Sequence, residues 1–465
     1  MQFATHMTRL SALALGVTAA LACGQAHASG LQLKENSAKA QGRALAGAGS
    51  ASGDTSVVVN NPAVMSTFTQ TTAQVDVTVV DLSFNFSGGG SAAAGSPLAQ
   101  PLTGGNGGNA GGVTPVPAMS FVMPLSDGFE YVTLGAMISA PFGLKTEYER
   151  DWVGRYHAVE SDVRLIDLTL AASIDLSDTL SVGAGVVYEH AEITLSNAID
   201  FGTAICANPA STSLCFLPNP IQGPYGPQRN DGFVNFNGTD NSFGWVAGIN
   251  WRPSDRLSLG YSYRSEIDLE IRGTADFTVP GSVRAVLGSN VFKPGNAPGS
   301  GGGADLTTPS VHNFSATYQA TDRLAVMAEA SLTGWDSLRE IRIQFENPAQ
   351  PDSAEDYLWS DTWFYSVGGE YKLNDQFTLR AGLAMDSTPV DDQYRTPRLP
   401  DQDRRWYSLG LTWAANEHFE MSASYVKVDL TELPPVDIFS STGARLVGEF
   451  DGGANLFGVA AQYRF

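Results

Sequence analysis

Histidine is the residue type that hydrolytic chemistry would need first, and the chain has four after its first 28 residues, at 157, 190, 312 and 418. A lipid hydrolase requires a serine, a histidine and an aspartate or asparagine that meet in space. The chain contains no Gly-x-Ser-x-Gly nucleophile motif. We therefore predict loop or lumen positions for the histidines and no catalytic residue, with a lipid hydrolase as the remaining enzymatic alternative.

The acidic residues and cysteines give weak signals for metal binding. Two acidic groups, within 352–361 and 386–392, lack the spacing of an EF-hand, so we interpret them as solvated loop charges. Cys206 and Cys215 have no neighbouring histidine, which argues against zinc. Because two nearby cysteines in an exported chain form a disulfide, we predict that bond, and neither a metal nor a cofactor.

The N-terminus predicts export. A weakly positive start precedes an apolar stretch at 10–22, and Ala26-His27-Ala28 fits a signal-peptidase site. Residues 1–28 are thus a predicted signal peptide, the mature chain is expected to begin at Ser29, and a lipoprotein signal at Cys23 is a weaker alternative. The formal net charge of −21 argues against nucleic acid as a partner.

The strands that would position any site are predicted from a short turn motif that recurs along the chain. The motif is Ser, Thr or Asn, then Asp or Glu, any residue, then Phe or Leu. Its six copies begin at Ser126, Ser177, Ser254, Thr321, Asn374 and Asn416. Such side chains bond their own backbone and favour tight turns. Each copy is followed by apolar and polar residues at period two, which indicates a strand with one apolar face.

Six turns join twelve predicted strands, and one further strand lies at each end. The predicted spans are 71–87, 114–124, 129–141, 161–175, 180–196, 242–252, 257–277, 309–320, 324–345, 361–372, 377–388, 404–414, 419–432 and 455–465. Short turns at one rim and long loops at the other are typical of outer-membrane barrels. Lipid offers no hydrogen-bond partner to backbone N–H and C=O groups, so the first and last strands must pair and close the wall. The predicted fold is all-β, a 14-stranded antiparallel transmembrane β-barrel over 71–465.

The alternation predicts which side chains of each strand face lipid and which face the lumen. The example with the most charges runs from 257 to 277. Its apolar set is Tyr261, Tyr263, Ile267, Leu269 and Ile271, and its charged set is Arg264, Glu266, Asp268, Glu270 and Arg272. We predict the apolar set towards lipid and the charged set towards a wet lumen.

The two ends of the chain carry further predictions. Residues 29–70 do not alternate and are predicted to form a plug inside the lumen, with a disordered periplasmic tail as the alternative. The last strand ends in Phe465, which resembles the signal read by the barrel assembly machinery, and an edge strand of a secreted sandwich is the alternative. We expect a monomer whose acidic loops contact outer-membrane lipid and lipopolysaccharide through divalent cations.

Pro141 interrupts an alternating stretch, 133–143. Proline has no N–H for a strand ladder, so it marks a bulge or kink, or else the end of the strand. A kink in a closed barrel would break the wall locally, whereas a strand that ends at Pro141 would only define the outer rim.

Several segments resemble the outer-membrane long-chain fatty-acid and aromatic-hydrocarbon transporter family (FadL-like), over nearly the whole mature chain. They are Gly42-Arg43-Ala44, Asn61-Pro62-Ala63, Pro141-Phe142-Gly143-Leu144, Trp152 with Gly154-Arg155-Tyr156, Tyr263-Arg264-Ser265-Glu266, Asp386-Ser387-Thr388-Pro389-Val390 and Leu399-Pro400-Asp401-Gln402-Asp403-Arg404. The resemblance implies fourteen strands and an N-terminal plug. Its plug residues would be Gly42, Arg43, Asn61, Pro62 and Ala63. It also implies a lateral gate in the kinked third strand, at Ser139, Ala140, Pro141, Phe142 and Gly143.

The resemblance further implies that a hydrophobic ligand is caught by outer loops, enters a lumen pocket and leaves sideways when the plug shifts. After Tyr188 the chain departs from the family, because the fatty-acid transporters read Tyr-Ala-Arg-Ala-Lys where this chain reads Tyr188-Glu189-His190-Ala191-Glu192. Arg264 or Arg380 could replace the missing cations, so His190, Arg264 and Arg380 are the expected lumen contacts for a ligand. Long-chain fatty acids are the expected ligands, and neutral aromatic or alkane hydrocarbons are the alternative.

Overall fold

The computed structural model describes residues 30–208, 211–215, 225–431 and 435–465. The predicted signal peptide and Ser29 lie outside these ranges. Within them, no helix is both long and apolar enough to cross a membrane. The helices are α1 (Ala38–Gln41), α2 (Val57–Asn60), α3 (Phe201–Ala207) and α4 (Gly281–Leu287), with 3-10 helices at Pro62–Thr67, Thr212–Cys215, Trp335–Ser337 and Asp392–Tyr394.

Fourteen antiparallel strands form the wall. Eleven are single segments: β1 (Thr72–Ala92), β3 (Gly112–Pro124), β4 (Val132–Glu147), β5 (Glu160–Ser177), β6 (Leu180–Asp200), β7 (Asp231–Ser254), β15 (Thr362–Lys372), β16 (Phe377–Asp386), β17 (Arg404–Ala414), β18 (Phe419–Leu430) and β20 (Arg445–Arg464). Three consist of two segments: β8 (Leu257–Arg264) with β9 (Ile267–Thr278), β10 (Gly301–Thr308) with β11 (Val311–Gln319), and β12 (Leu324–Thr333) with β13 (Glu340–Phe345). The short strands β2 (Gln100–Pro101), β14 (Ser353–Asp356) and β19 (Val436–Phe439) lie in loops.

The wall closes through its first and last strands. β1 pairs with β20 from Thr72 opposite Arg464 to Ser91 opposite Arg445, and the other edge of β20 pairs with β18. Each of the six predicted turns joins two neighbouring wall strands. The predicted 14-stranded barrel is therefore confirmed.

Wall strands invert their polarity part-way along their length, and β1 shows this most clearly. Its inward side chains are first polar and then apolar: Thr72, Gln74, Asp76 and Thr78, followed by Val80, Leu82, Phe84 and Phe86. Its outward side chains change in the opposite sense, from Val75 and Val77 to Asp81 and Asn85. Lipid requires an apolar outer face, and water above the bilayer requires a polar one. The strands thus continue beyond the hydrocarbon and enclose an apolar outer lumen.

This inversion explains why several strands are longer than predicted. β1 continues to Ala92, β6 reaches Asp200, β7 begins at Asp231 and β20 begins at Arg445. The sequence predicts a strand where an apolar outer face recurs at period two. Above the bilayer the apolar residues turn inward, and the glycine-rich ends have little alternation of either kind.

The predicted faces of 257–277 are right for β8 and wrong for β9. Tyr261 and Tyr263 are on the outer face, but Ile267, Leu269 and Ile271 are buried inside, with Glu266, Asp268, Glu270 and Arg272 exposed. The physical reason is the break at 265–266, which reverses the alternation. The neighbouring wall strand breaks at 309–310, directly opposite, because Thr308 pairs with Ile267 and Val311 with Arg264.

Residues 30–68 form the plug. Every residue from 37 to 51 is buried, as are the predicted plug residues Gly42, Arg43, Asn61, Pro62 and Ala63. Polar contacts fix the plug to several strands: Arg43 donates to the Glu370 carboxylate (2.5 Å), and the Asn61 amide donates to the Ile249 carbonyl (3.1 Å). The predicted plug is confirmed.

Glycines in the wall allow the plug backbone to approach it closely. A Cβ at Gly382 would lie 2.2 Å from the Arg43 carbonyl carbon, and one at Gly260 would lie 2.0 Å from the Gly49 oxygen. A Cβ at Gly248 would likewise lie 2.0 Å from the side-chain oxygen of Asn61. Glycine is the residue that leaves room for such contacts. The wall is therefore shaped to hold this plug.

We expect Gly382→Val to displace the plug, because a branched side chain cannot share space with the Arg43 backbone. The barrel should then pass small solutes, seen as a several-fold rise in planar-bilayer conductance. Gly89→Val is the matched control, since a Cβ at Gly89 meets nothing within 4 Å. Heat-modifiable migration checks that both variants fold. Equal conductance of two folded variants would contradict a sealing role for the plug.

Candidate functional site

The wall has a gap between β3 and β4. These strands pair only from Pro124 opposite Thr133 to Met119 opposite Ile138. Beyond that point β3 continues beside β1 alone, while β4 continues beside β5 as far as Glu147. The outer half of β4 therefore has one edge without a wall strand.

Pro141 lies at a bulge inside β4, not at the end of the strand. Ser139 pairs with Asp167 and Phe142 with Leu165, so two residues of β4 face one residue of β5. The extra residue reverses the alternation, and the Phe142 side chain therefore points inward and is buried. The gate residues expected at 139–143 thus bracket the start of the gap.

The beginning of the plug occupies the free edge of β4. The Leu33 N–H donates to the Pro141 carbonyl (2.8 Å), and the Gly143 N–H donates to the Leu31 carbonyl (2.9 Å). Gln32 lies opposite Phe142 in this short antiparallel pairing. We call residues 30–35 the plug tip. The tip supplies hydrogen-bond partners that β3 does not provide.

The other side of the tip is held by the loop 387–403, which folds into the lumen. The Gly30 N–H donates to an Asp401 carboxylate oxygen (3.1 Å), and Arg404 donates to the Gly30 carbonyl (3.1 Å). Thr388 donates to the same Asp401 oxygen (2.9 Å). Burial, with the Asp401 and Asp386 carboxylates nearby, raises the pKa of Asp403 to about 7. The tip therefore bridges an inward-folded loop and the gap.

A cavity of about 820 Å³ extends from the lumen to the gap. This volume is in the range of small-molecule pockets. Its apolar lining comes from the tip, β1, β3, β4, β5, β17 and β20: Leu33, Val80, Leu82, Phe84, Val116, Ile138, Phe142, Leu165, Trp406 and Leu456. The cations on its lining are ion-paired: Arg404 with Asp401 (2.7 Å), Arg164 with Asp162 (2.5 Å) and Lys145 with Glu147 (3.9 Å).

Above the cavity lies an aromatic cluster that sequence reasoning missed. Phe142 packs edge-on against Trp335 (ring centroids 5.9 Å), and Trp335 packs edge-on against Trp359 (4.9 Å). Leu269 and Ile271 of β9 are buried in the same cluster. Both tryptophans lie outside the wall strands. The reversed alternation after residue 265 was the signal that could have revealed the apolar outer lumen.

The fold and the site agree with one known family. A sequence profile described as outer membrane protein transport protein (OMPP1/FadL/TodX) matches residues 19–465. The chain belongs to this family. It is therefore a bacterial outer-membrane transporter of hydrophobic compounds and not an enzyme.

Individual relatives cover the whole FadL-like chain. Outer membrane protein P1 of Haemophilus influenzae is 29% identical over 99% of this chain and 100% of that protein. The long-chain fatty acid transport protein of Escherichia coli K12 is 28% identical with the same coverage. The crystal structure of a Pseudomonas aeruginosa FadL homologue has a TM-score of 0.83 at 26% identity, over 94% of this chain and all of that one. The Pseudomonas putida toluene transporter TodX shares the fold (TM-score 0.61, 16% identity, 95% and 99% coverage).

In this FadL-family chain, Arg264 points into the lumen but already has two partners. Its guanidinium donates to Asp167 (2.5 Å) and to Glu189 (2.8 Å), and it lies 5.8 Å from the Phe142 ring centroid. Both carboxylates are essentially inaccessible to solvent. Glu189 is one of the residues that depart from the family pattern. Arg264 thus neutralises buried acids beside the gap and is not a free cation for a ligand.

The other two expected ligand contacts lie elsewhere. Arg380 is buried near the periplasmic end, where it pairs with Glu370 (2.8 Å), the same carboxylate that holds Arg43 of the plug. His190 is on the outer face of β6, where its ring bonds Asn241 (2.8 Å) beside Tyr188. Strand alternation explains this position, because inward Glu189 precedes it. His190 does not face the lumen, and Arg380 belongs to the anchoring of the plug.

The predicted disulfide is confirmed, since Cys206 at the end of α3 is bonded to Cys215. The bond packs with Phe201 and Ile205 at the outer rim, far along the chain from the gate residues. Among the described residues, no group of three metal-ligating side chains converges.

We expect Arg264→Met to lower the free energy of unfolding by about 3–5 kcal/mol, because it leaves two buried carboxylates without a counter-charge. Urea titration of protein folded in lipid vesicles measures this change. Combining Arg264→Met with Asp167→Asn and Glu189→Gln should recover most of the loss. A stable single variant that no longer binds ligand would contradict a purely structural role for Arg264.

Proposed function

We propose that this FadL-family chain takes up long-chain fatty acids passively through the apolar outer lumen, the cavity and the gap between β3 and β4. The observation that carries this proposal is the plug tip on the free edge of β4. A cavity that opens towards lipid is closed there by residues 31–33, which are not part of the wall.

The tip is a suitable gate because it is attached weakly compared with a wall strand. Two backbone hydrogen bonds hold it to β4, whereas β1 and β20 pair over twenty residues. A buried backbone group without a partner is costly in lipid, so the edge of β4 needs a partner when the gate is closed. Movement of the tip exposes this edge to a bound ligand and to hydrocarbon at the same time.

A sideways route suits the ligand class. An apolar chain loses roughly 0.8 kcal/mol for each CH₂ group that it moves back into water. The plug fills the periplasmic half of the lumen with apolar packing and buried polar contacts, whereas the gap leads from an apolar cavity towards lipid. Exit through the wall therefore keeps the chain in apolar surroundings throughout.

Fatty acids are the proposed ligands because the relatives that match at 28% identity along their whole length are named long-chain fatty acid transport proteins. The second candidate is a neutral aromatic or alkane hydrocarbon. It is favoured by the pairing of Arg264, Arg380 and Arg404 with carboxylates, which leaves these cations occupied. Uptake of labelled oleate and of labelled toluene in a deletion strain distinguishes the two.

A disulfide between the tip and β4 tests the gate. Gln32 and Phe142 form a non-hydrogen-bonded antiparallel pair, the geometry in which Cα atoms approach to about 4.5 Å, which suits a disulfide. We expect oxidised Gln32→Cys/Phe142→Cys to lose most oleate uptake and to recover it on reduction.

The single variants Gln32→Cys and Phe142→Cys are the controls for lost side chains. Wild-type protein with reductant controls for the native bond between Cys206 and Cys215. Full oleate uptake by the oxidised double variant would show that ligands do not need the tip to leave β4, and the proposed route would be wrong.

A further inference from the structure

Prolines are concentrated beside the gap. The fourteen wall strands contain five prolines, at 115, 117, 124, 141 and 253. Pro124 and Pro253 lie next to short turns, whereas Pro115, Pro117 and Pro141 lie where β3 and β4 separate. Proline is normally excluded from the interior of a sheet, because it lacks the N–H that a ladder hydrogen bond needs. Three prolines in one short region of the wall therefore need a physical reason.

The hydrogen-bonding direction of β3 shows which edge of this strand its prolines affect. The Leu125 N–H donates to the Val132 carbonyl (3.0 Å), so the backbone groups of Leu125 point towards β4. Backbone groups of successive residues point to opposite edges of a strand. β3 keeps a constant register with β4 and with β1, so its odd-numbered residues all point towards β4. Pro115 and Pro117 therefore lack the N–H groups that would face the gap.

A ladder continued past the present end of pairing would bring these prolines against Pro141. The last pair is Met119 with Ile138, and the bulge adds one residue to β4 beyond it. The next two pairs on this edge would be Pro117 with Pro141 and Pro115 with Gly143. Both would be hydrogen-bonded pairs, since the Pro141 carbonyl and the Gly143 N–H already point to this edge, where they bond the plug tip. Three of the four N–H groups that would join the strands are thus replaced by proline nitrogens.

The missing donors lie where the wall faces hydrocarbon. Pro117 is opposite Val77 of β1, and the side chains of Val77 and Met119 are exposed on the outer face. An unpaired N–H is costly in lipid, and proline removes that cost by removing the group. The next residue of this edge with an N–H is Val113, which is opposite the outward Asp81. At membrane depth the edge of β3 therefore needs no partner for a donor.

We infer that Pro115, Pro117 and Pro141 keep the gap open, because together they remove the donors with which β3 and β4 would complete their ladder. They are positioning residues of the wall, and they act on every ligand in the same way. Pro141 also limits the pairing of the plug tip, since it accepts from Leu33 and cannot donate in return. The effect on uptake rests on the proposed function, because only a route through the gap requires the gap to stay open.

Restoring the N–H groups of β3 tests this inference. Pro115→Val/Pro117→Val adds two donors, keeps the outer face apolar and introduces a residue type that favours strands. β3 should then pair with β4, because lipid offers the new N–H groups no other partner. Spin labels on Val113→Cys and Lys145→Cys, two exposed positions on opposite sides of the gap, should move closer by several Å in full-length protein in lipid vesicles. Uptake of labelled oleate by cells should fall several-fold.

Pro124→Val is the matched control. It also adds an N–H to β3, but at an even-numbered position, which points away from β4, and it should change neither the label distance nor uptake. The native cysteines do not take the label, because they are bonded to each other. Heat-modifiable migration checks folding, and Pro117→Val alone provides the same test with a single change.

The two readouts separate failure of this inference from failure of the proposed function. An unchanged label distance in the folded variants would show that the prolines do not hold the strands apart, whatever happens to uptake. A shorter distance with full oleate uptake would support the role of the prolines, but it would show that ligands do not leave through the gap, and the proposed route would be wrong.

Discussion

The hydrocarbon of the bilayer offers no partner to a backbone N–H or C=O, and this constraint governs the whole structure. It closes β1 onto β20 over twenty paired residues. It also makes the free edge of β4 the most consequential place in the wall, because β3 stops pairing there after Ile138. The plug tip resolves this conflict with a pairing only three residues long. A short segment of the plug thus meets here a requirement that neighbouring wall strands meet for one another.

The inversion of polarity along the strands follows from the same bilayer. Below Val79 of β1 the apolar side chains face lipid, and above it they face the lumen. The outer half of the lumen is therefore apolar along β1, whereas the inward residues of β1 beside the plug are threonine, glutamine and aspartate. Breaks at 265–266 and 309–310 and the bulge at Pro141 make this change by shifting the register, whereas β1 makes it by changing residue types.

Local signals in the sequence were sufficient for the number of strands, the turns, the plug and the disulfide. Turn chemistry and alternation depend on neighbours in the chain, so each of the six turns could be recognised alone. The length of the strands beyond the bilayer could not be recognised from the sequence, because an apolar outer face is expected only where lipid surrounds the wall. The partners of Arg264 and Arg380 also required the fold, since Asp167, Glu189 and Glu370 reach them only across strands. His190 was misplaced because the face of one residue depends on the register of the whole strand.

The close fit of the plug to wall glycines has a consequence for biogenesis. Gly248, Gly260 and Gly382 lie on different strands, and each touches the plug from a different direction. A wall that contacts the plug at these distances leaves little space through which the plug could enter after closure. We therefore expect the N-terminal segment to be inside before β1 pairs with β20, so that the shape of the lumen constrains the order of assembly.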